Sequence, residues 1–217
     1  MIKTTLSLIS ILILLSTSSS LAQKVDKKKQ DSLHQAKVKL DVEFINPVPS
    51  DKIADIGTGA GYSLIPIANH CPECKFAVED IDSTTCNPTN LLKKINNSGN
   101  LTSIQNFAFY YGTEKNSPLP SATYNKILIF DVVHELTYKK EVLEDCKRIL
   151  TPNGSIFIEE ILVHKPVKKD KACNYPFFTE EEFKKVLSDN GLSIKREQTS
   201  LDTGNNKYIK LFECIVL

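Results

Sequence analysis

The chain has no surplus of charge: 27 basic against 26 acidic residues leave a net +1 over 217 residues. Near-neutrality removes the electrostatic ground for binding nucleic acid, which asks for a basic face. There is no apolar run of the roughly 20 residues that a membrane-spanning helix needs. The N-terminal run, residues 6–15, ends well short of that. No cysteine follows it, which disfavours a bacterial lipoprotein. No second Cys-x-x-Cys accompanies Cys71-Pro-Glu-Cys74, so tetrahedral zinc is disfavoured and no metal is expected. No internal repeat or low-complexity tract appears beyond residue 30. At 41% hydrophobic residues, what is left fits one ordinary globular domain and not a disordered or fibrous chain.

Lys3 ahead of the apolar run, and small residues through Ser20-Leu21-Ala22 after it, make the pattern of a cleaved export signal. The expectation is a signal peptide over residues 1–22, a periplasmic or secreted product and no stable membrane insertion after cleavage. An uncleaved N-terminal anchor is the alternative. Residues 23–49 read as a charged spacer leading into a helix, with Leu33, Ala36, Leu40 and Phe44 at helical spacing. Residues 50–217 read as the folded domain.

The densest signal in that domain is residues 52–62, Lys-Ile-Ala-Asp-Ile-Gly-Thr-Gly-Ala-Gly-Tyr. Residues 53–56 form a short apolar run broken only by Asp55, as in a strand covered on both faces. Gly57, Gly59 and Gly61 then predict a tight turn where missing Cβ atoms let a ligand approach the backbone. Residues 62–68 read as a helix, with Pro66 near its start. Strand, turn and helix N-terminus together leave several N–H groups around one polar or anionic ligand. The dinucleotide fingerprint is Gly-x-Gly-x-x-Gly, whereas this is Gly-x-Gly-x-Gly with Asp55 two residues ahead. That carboxylate would repel a pyrophosphate and accept hydrogen bonds from an amine, so a zwitterionic ligand suits the turn better than NAD. A turn that serves packing alone is the bland alternative.

A second strand, residues 75–81, ends among Glu79, Asp80 and Asp82, with Asp80 lying 19 residues beyond Gly61. An acid about 20 residues on, at the end of the second strand of a βαβ unit, is placed to accept both hydroxyls of a ribose. Ile81 could pack on an adenine face.

The turn from Asp55 to Gly61, the Asp80-Ile81-Asp82 turn, Tyr111-Gly112-Thr113 and residues 124–136 resemble the successive motifs of class I S-adenosylmethionine-dependent methyltransferases. The resemblance runs on through residues 150–159 and 178–192, and so covers the chain from about residue 49. It implies an α/β, Rossmann-like, doubly wound seven-stranded sheet, mostly parallel with an antiparallel C-terminal strand. It implies S-adenosyl-L-methionine as cofactor, bound through Asp55, Gly57, Gly59, Gly61, Asp80, Ile81, Thr113 and Asp131. An acid at or near Thr113 commonly contacts the adenine amino group in the family. The match here is a threonine, which leaves its hydroxyl, Glu114 or a backbone group to serve.

Alternating strands and helices after residue 89 argue for right-handed parallel crossovers. Expected strands are residues 104–111, 126–130 and 155–159, with helices at 89–97, 141–150 and 180–190, the last opened by a Thr179/Glu182 capping box. Residues 193–199 and 208–217 suggest a closing hairpin. Asp131 and His134 follow the fourth strand, at the sheet end where ligands bind in open α/β folds. His134 is the best-placed general base for an acceptor that must lose a proton; packing against the sheet is its alternative role. The acceptor is expected to be a small molecule or an exposed group, not nucleic acid. A non-catalytic exported binding protein on the same fold is the rival reading. Of the six cysteines, Cys71, Cys74 and Cys86 suggest a local disulfide or free thiols, and Cys146 and Cys214 read as core residues.

Overall fold

The structure, a computed structural model, describes residues 28, 30–99, 101–167, 175–202 and 204–217. The expected signal peptide, most of the spacer and Cys173 lie outside the described residues. Two compact units divide the chain, Met1–Lys39 and Leu40–Leu217. Residues 30–45 are helical (α1), and in its first-unit part Leu33 is exposed. In the second unit Phe44 is buried edge-on to Phe157, with ring centroids 6.3 Å apart, and Asp41 accepts the Ser200 hydroxyl.

The second unit is built on one seven-stranded sheet, in the order β3-β2-β1-β4-β5-β7-β6. The strands are β1 (Lys52–Ile56), β2 (Lys75–Asp80), β3 (Phe107–Tyr111), β4 (Tyr124–Phe130), β5 (Leu150–Val163), β6 (Leu192–Asp202) and β7 (Lys207–Val216). β1 to β5 pair in parallel, and β7 pairs antiparallel with both β5 and β6. The crossovers carry α2 (Leu64–His70), α3 (Pro88–Asn97), α4 (Lys139–Ile149) and α5 (Glu180–Asp189). This is the expected doubly wound sheet. β1 and β4 are central and read as near-continuous apolar runs because helices cover both faces.

Local chemistry accounts for the boundaries. Pro66 falls in the first turn of α2, where its missing N–H would have had no intrahelical partner. Asn87 caps α3, its side chain accepting from Asn90 N–H with Pro88 at the first helical position. The Thr179/Glu182 capping box is present at α5. Among the boundaries that differ from expectation, two have a local cause. Residues 104–106 form a 3-10 turn before β3, because the Ser103 hydroxyl accepts from Gln105 N–H. β5 starts at Leu150 and carries Pro152-Asn153-Gly154 within it, opposite a register shift in β4 between Tyr124 and Lys126. A Cβ on Gly154 would lie 2.6 Å from Leu150 Cδ1, so glycine is what lets the chain double back there.

Beneath the sheet, Phe183 of α5 packs on Phe212 of β7 at 5.2 Å between centroids, in a core that also holds Cys146 and Cys214. Cys71 and Cys74 form a disulfide after α2, while Cys86 is a buried free thiol. Among the described residues, no helix is long and apolar enough to cross a membrane.

Candidate functional site

The carboxyl ends of β1, β2 and β4 border a cleft of about 570 Å³. Its floor is the glycine turn. Gly57 and Thr58 both donate their N–H groups to the Glu79 carbonyl, at 2.9 and 3.0 Å, which stitches the turn to β2. Gly57 has φ +73°, and a Cβ there would sit 2.6 Å from Val132 Cγ2. Only glycine therefore lets the turn after β4 close against the turn after β1. Nothing lies within 4 Å of where a Cβ on Gly59 would be, so the face over that residue is open.

Asp80, at the end of β2, accepts from Gly59 N–H at 2.7 Å through one oxygen and from Asp82 N–H at 2.9 Å through the other. It fixes the turn and keeps one lone pair on each oxygen for a ligand. Ile81 beside it is 61% exposed on the cleft wall. Asp55 is buried under the turn, and burial, reinforced by the Asp80 charge and opposed by a hydrogen bond from Thr58, pushes its carboxyl up to about 7. Burial also pushes Glu79 up to about 7, with the charges of Asp80 and Asp145 adding to it. Its carboxylate lies over Gly112, where a Cβ would be 2.0 Å from Glu79 Oε1.

The structure places Asp55, Gly57, Gly59, Asp80, Ile81, Thr113 and Asp131 in the cleft wall. Gly61 stands just behind it, where a Cβ would meet Leu91 Cδ1 at 2.4 Å. The Thr113 hydroxyl donates within its own loop, to Asn116 Oδ1 at 2.9 Å. Asn116, Ser117 and Asp145 also line the cleft and were missed. Asp145 sits on α4 and accepts both the N–H and the hydroxyl of Ser117, at 2.9 and 2.6 Å. Its only sequence signal was a polar place on an amphipathic helix.

His134 does not line the cleft but is 4% exposed beneath the turn, with its ring edge-on to Phe177 at 4.9 Å between centroids, a placement that suits its alternative packing role. Its main-chain N–H donates to Glu160 Oε2 at 3.1 Å, and its Nδ1 lies 2.7 Å from Glu160 Oε1. The physical cause is the pair of bonds to Glu160, which hold His134 inward, while Asp131, at φ +59°, and Glu135 of the same turn line the cleft. Asp131, His134 and Glu160 offer ligand atoms within 4.8 Å of one another, the one such group among the described residues. His134 and Glu160 already satisfy each other, so no ion is needed to hold them.

Residues 54–156 match the family model described as a methyltransferase domain. The stretch runs from β1 into β5 and contains the whole cleft floor. No curated protein matches the chain. Among solved structures, a SAM-dependent methyltransferase from Aquifex aeolicus is 23% identical, over 77% of this chain and 82% of that one, with a TM-score of 0.59. A SAM-dependent methyltransferase from Leishmania major is 17% identical over 85% and 74%, with a TM-score of 0.67. The [4+2]-cyclase SpnF is 12% identical over 82% and 79%, with a TM-score of 0.66. At these identities the likeness establishes the fold, a Rossmann-like methyltransferase fold.

Proposed function

We propose that the cleft binds S-adenosylmethionine and that the chain is a methyltransferase acting on a small-molecule or exposed acceptor. The observation that carries this reading is the charge of the wall. Among the described residues seven carboxylates line it, Asp55, Glu79, Asp80, Glu114, Asp131, Glu135 and Asp145, and no lysine, arginine or histidine does. A ligand bearing a sulfonium and an ammonium suits such a wall, whereas the pyrophosphate of a nicotinamide dinucleotide does not.

The residues fit the cofactor part by part. The open face over Gly59 leaves room for it against the backbone. The Asp55 carboxyl, buried at the turn, is placed for the ammonium, and Asp80 for the ribose hydroxyls. Ile81 offers adenine an apolar face, with the 113–116 loop at its edge. The cofactor supplies a methyl group already activated on sulfur. What remains for the chain is to orient the acceptor and to take its proton. His134 then works at one remove, holding the turn that presents Asp131 and Glu135. Glu135, about half exposed in the cleft wall, is better placed to receive a proton.

The chain would work outside the cytoplasm. The Cys71–Cys74 disulfide supports this, because such bonds persist in oxidising compartments, and it accords with the export signal expected over residues 1–22. A second reading, cofactor binding without methyl transfer, draws on the burial of the expected base.

Calorimetric titration of the purified protein with S-adenosylmethionine, S-adenosylhomocysteine and NAD tests the assignment. Micromolar binding of the first two and none of NAD is expected. Folded protein that ignores both sulfur ligands would overturn it, and binding with no turnover on any acceptor would favour the second reading.

A further inference from the structure

The two edges of the sheet are built differently. β6, at one edge, carries Lys195 and Arg196, each about half exposed, and its register against β7 shifts twice, between Ile194 and Arg196 and between Thr199 and Leu201. Charge and irregularity of this kind keep a strand edge from pairing with another chain. β3, at the other edge, reads Phe-Ala-Phe-Tyr-Tyr, with no charge, proline or glycine, and pairs with β2 in unbroken register from Phe107 to Tyr111.

The outward groups of β3 follow from one hydrogen bond. Gly112 N–H donates to the Asp80 carbonyl at the end of β2. With the strand's period of two, the main-chain groups of Ala108 and Tyr110 also point to β2, and those of Phe107, Phe109 and Tyr111 point outward. The Phe107 N–H is given to the Ile104 carbonyl. Among the described residues, nothing meets the outward N–H groups of Phe109 and Tyr111 or the outward carbonyls of Phe107, Phe109 and Tyr111. Ala108 and Tyr111 are exposed, so the edge is open to an occupant. The occupant that answers such a row is an extended strand.

We propose that this edge binds the β3 edge of a second copy of the chain, antiparallel across a two-fold axis. A register centred on Phe109 sets that residue against its own counterpart and Phe107 against Tyr111 of the partner subunit. Each outward N–H of Phe109 and Tyr111 then meets an outward carbonyl, and both copies gain alike. Because β3 carries no charge, pairing with itself opposes no like charges along the strand. The flanking charges are complementary: Lys75, bonded to Asn106 just ahead of β3 at 2.6 Å, comes to the side of the partner subunit's Glu114. Apolar surface continues past the strand, since Leu101 at 63% and Leu92 at 41% exposure border a groove with Ile104, the residue bonded to Phe107. Tyr111 of the partner subunit arrives beside that groove. Two seven-stranded sheets join into one, and because their strands run oppositely, the clefts at the carboxyl ends open on opposite sides.

Sedimentation velocity of the purified protein, read together with amide hydrogen exchange, tests the pairing. A dimer is expected at about 50 μM that dissociates on dilution, with the Phe109 and Tyr111 amides exchanging about tenfold slower in the dimer than in the dilute monomer. Tyr111→Pro removes an outward N–H and none that faces β2, so the monomer should stay folded while the dimer weakens about tenfold or more. Ala108→Lys, which brings two ammonium groups to one face of the join, serves the same end should the proline variant fail to fold. A monomer at about 50 μM, or a dimer that survives both variants or leaves the β3 amides exchanging freely, overturns the inference. So does protection of those amides in a monomer at every concentration, which would assign the edge to another segment of the same chain.

Discussion

Glu160 grips His134 twice, through the ring nitrogen at 2.7 Å and the main-chain N–H at 3.1 Å, from a position with no solvent exposure. The same carboxylate also accepts Ile161 N–H at 3.1 Å. Burial raises its pKa, and the hydrogen bond and charge of His134 oppose that rise. Removing the carboxylate leaves three donors without their partner in the core. Glu160→Ala is expected to destabilise the fold by about 2–4 kcal/mol in denaturant melts. A loss below about 0.5 kcal/mol would mean the pair does not hold the turn.

The pH dependence has a definite sign. Asp55 and Glu79 titrate at about 7 in the folded protein, against ordinary values of 3.8 and 4.5. Between about pH 4 and 7 the folded state therefore binds more protons than the unfolded one, and their contribution to stability falls as pH rises. The ligand-free protein is expected to melt lower at about pH 8 than at about pH 6, with Asp55→Asn flattening the difference. A bound ammonium favours the ionised carboxylate, so S-adenosylmethionine should bind more tightly as pH rises through 7, with proton release visible by calorimetry in two buffers.

Asp80 holds the glycine turn, and the ribose hydroxyls are its proposed second task. Asp80→Ala is expected to weaken cofactor binding by about 1–3 kcal/mol, the cost of leaving polar partners unmatched. Wild-type affinity in that variant would refute its assignment to the ribose.

Two glycines in one turn should fail differently. Gly57→Ala meets both a positive φ and Val132 at 2.6 Å, and is expected to cost about 2–4 kcal/mol of stability. Gly59→Ala has φ +53° but open space, so the fold should lose only about 1 kcal/mol. Its methyl group would occupy the face over the turn and lower cofactor affinity on the order of tenfold or more. Parallel melting and titration of the two variants check the contrast.

Much of this was legible in the chain because the signals are local. Gly57 and Gly59 mark a turn by their backbone needs, Asp80 marks a strand end by spacing, and the apolar run of β4 marks a central strand. What stayed hidden depends on where separate segments meet. Asp145 reads as one more polar residue on an amphipathic helix until the Ser117 loop is laid across it. His134 and Glu135 are neighbours in sequence, and it is Glu160, 26 residues on, that binds the first and leaves the second in the cleft wall. The extent of β5 was underestimated because Pro152 and Gly154 punctuate it, although the strand passes through them.

The insertion of β7 between β5 and β6 also bears on how the chain is assembled. β6 precedes β7 in sequence but pairs with no other strand, and one edge of β5 stays open until β7 arrives. During synthesis the sheet is thus incomplete until residues 207–216 emerge. Until then the growing chain carries an unpaired strand edge that invites capture by chaperones or by other copies of itself.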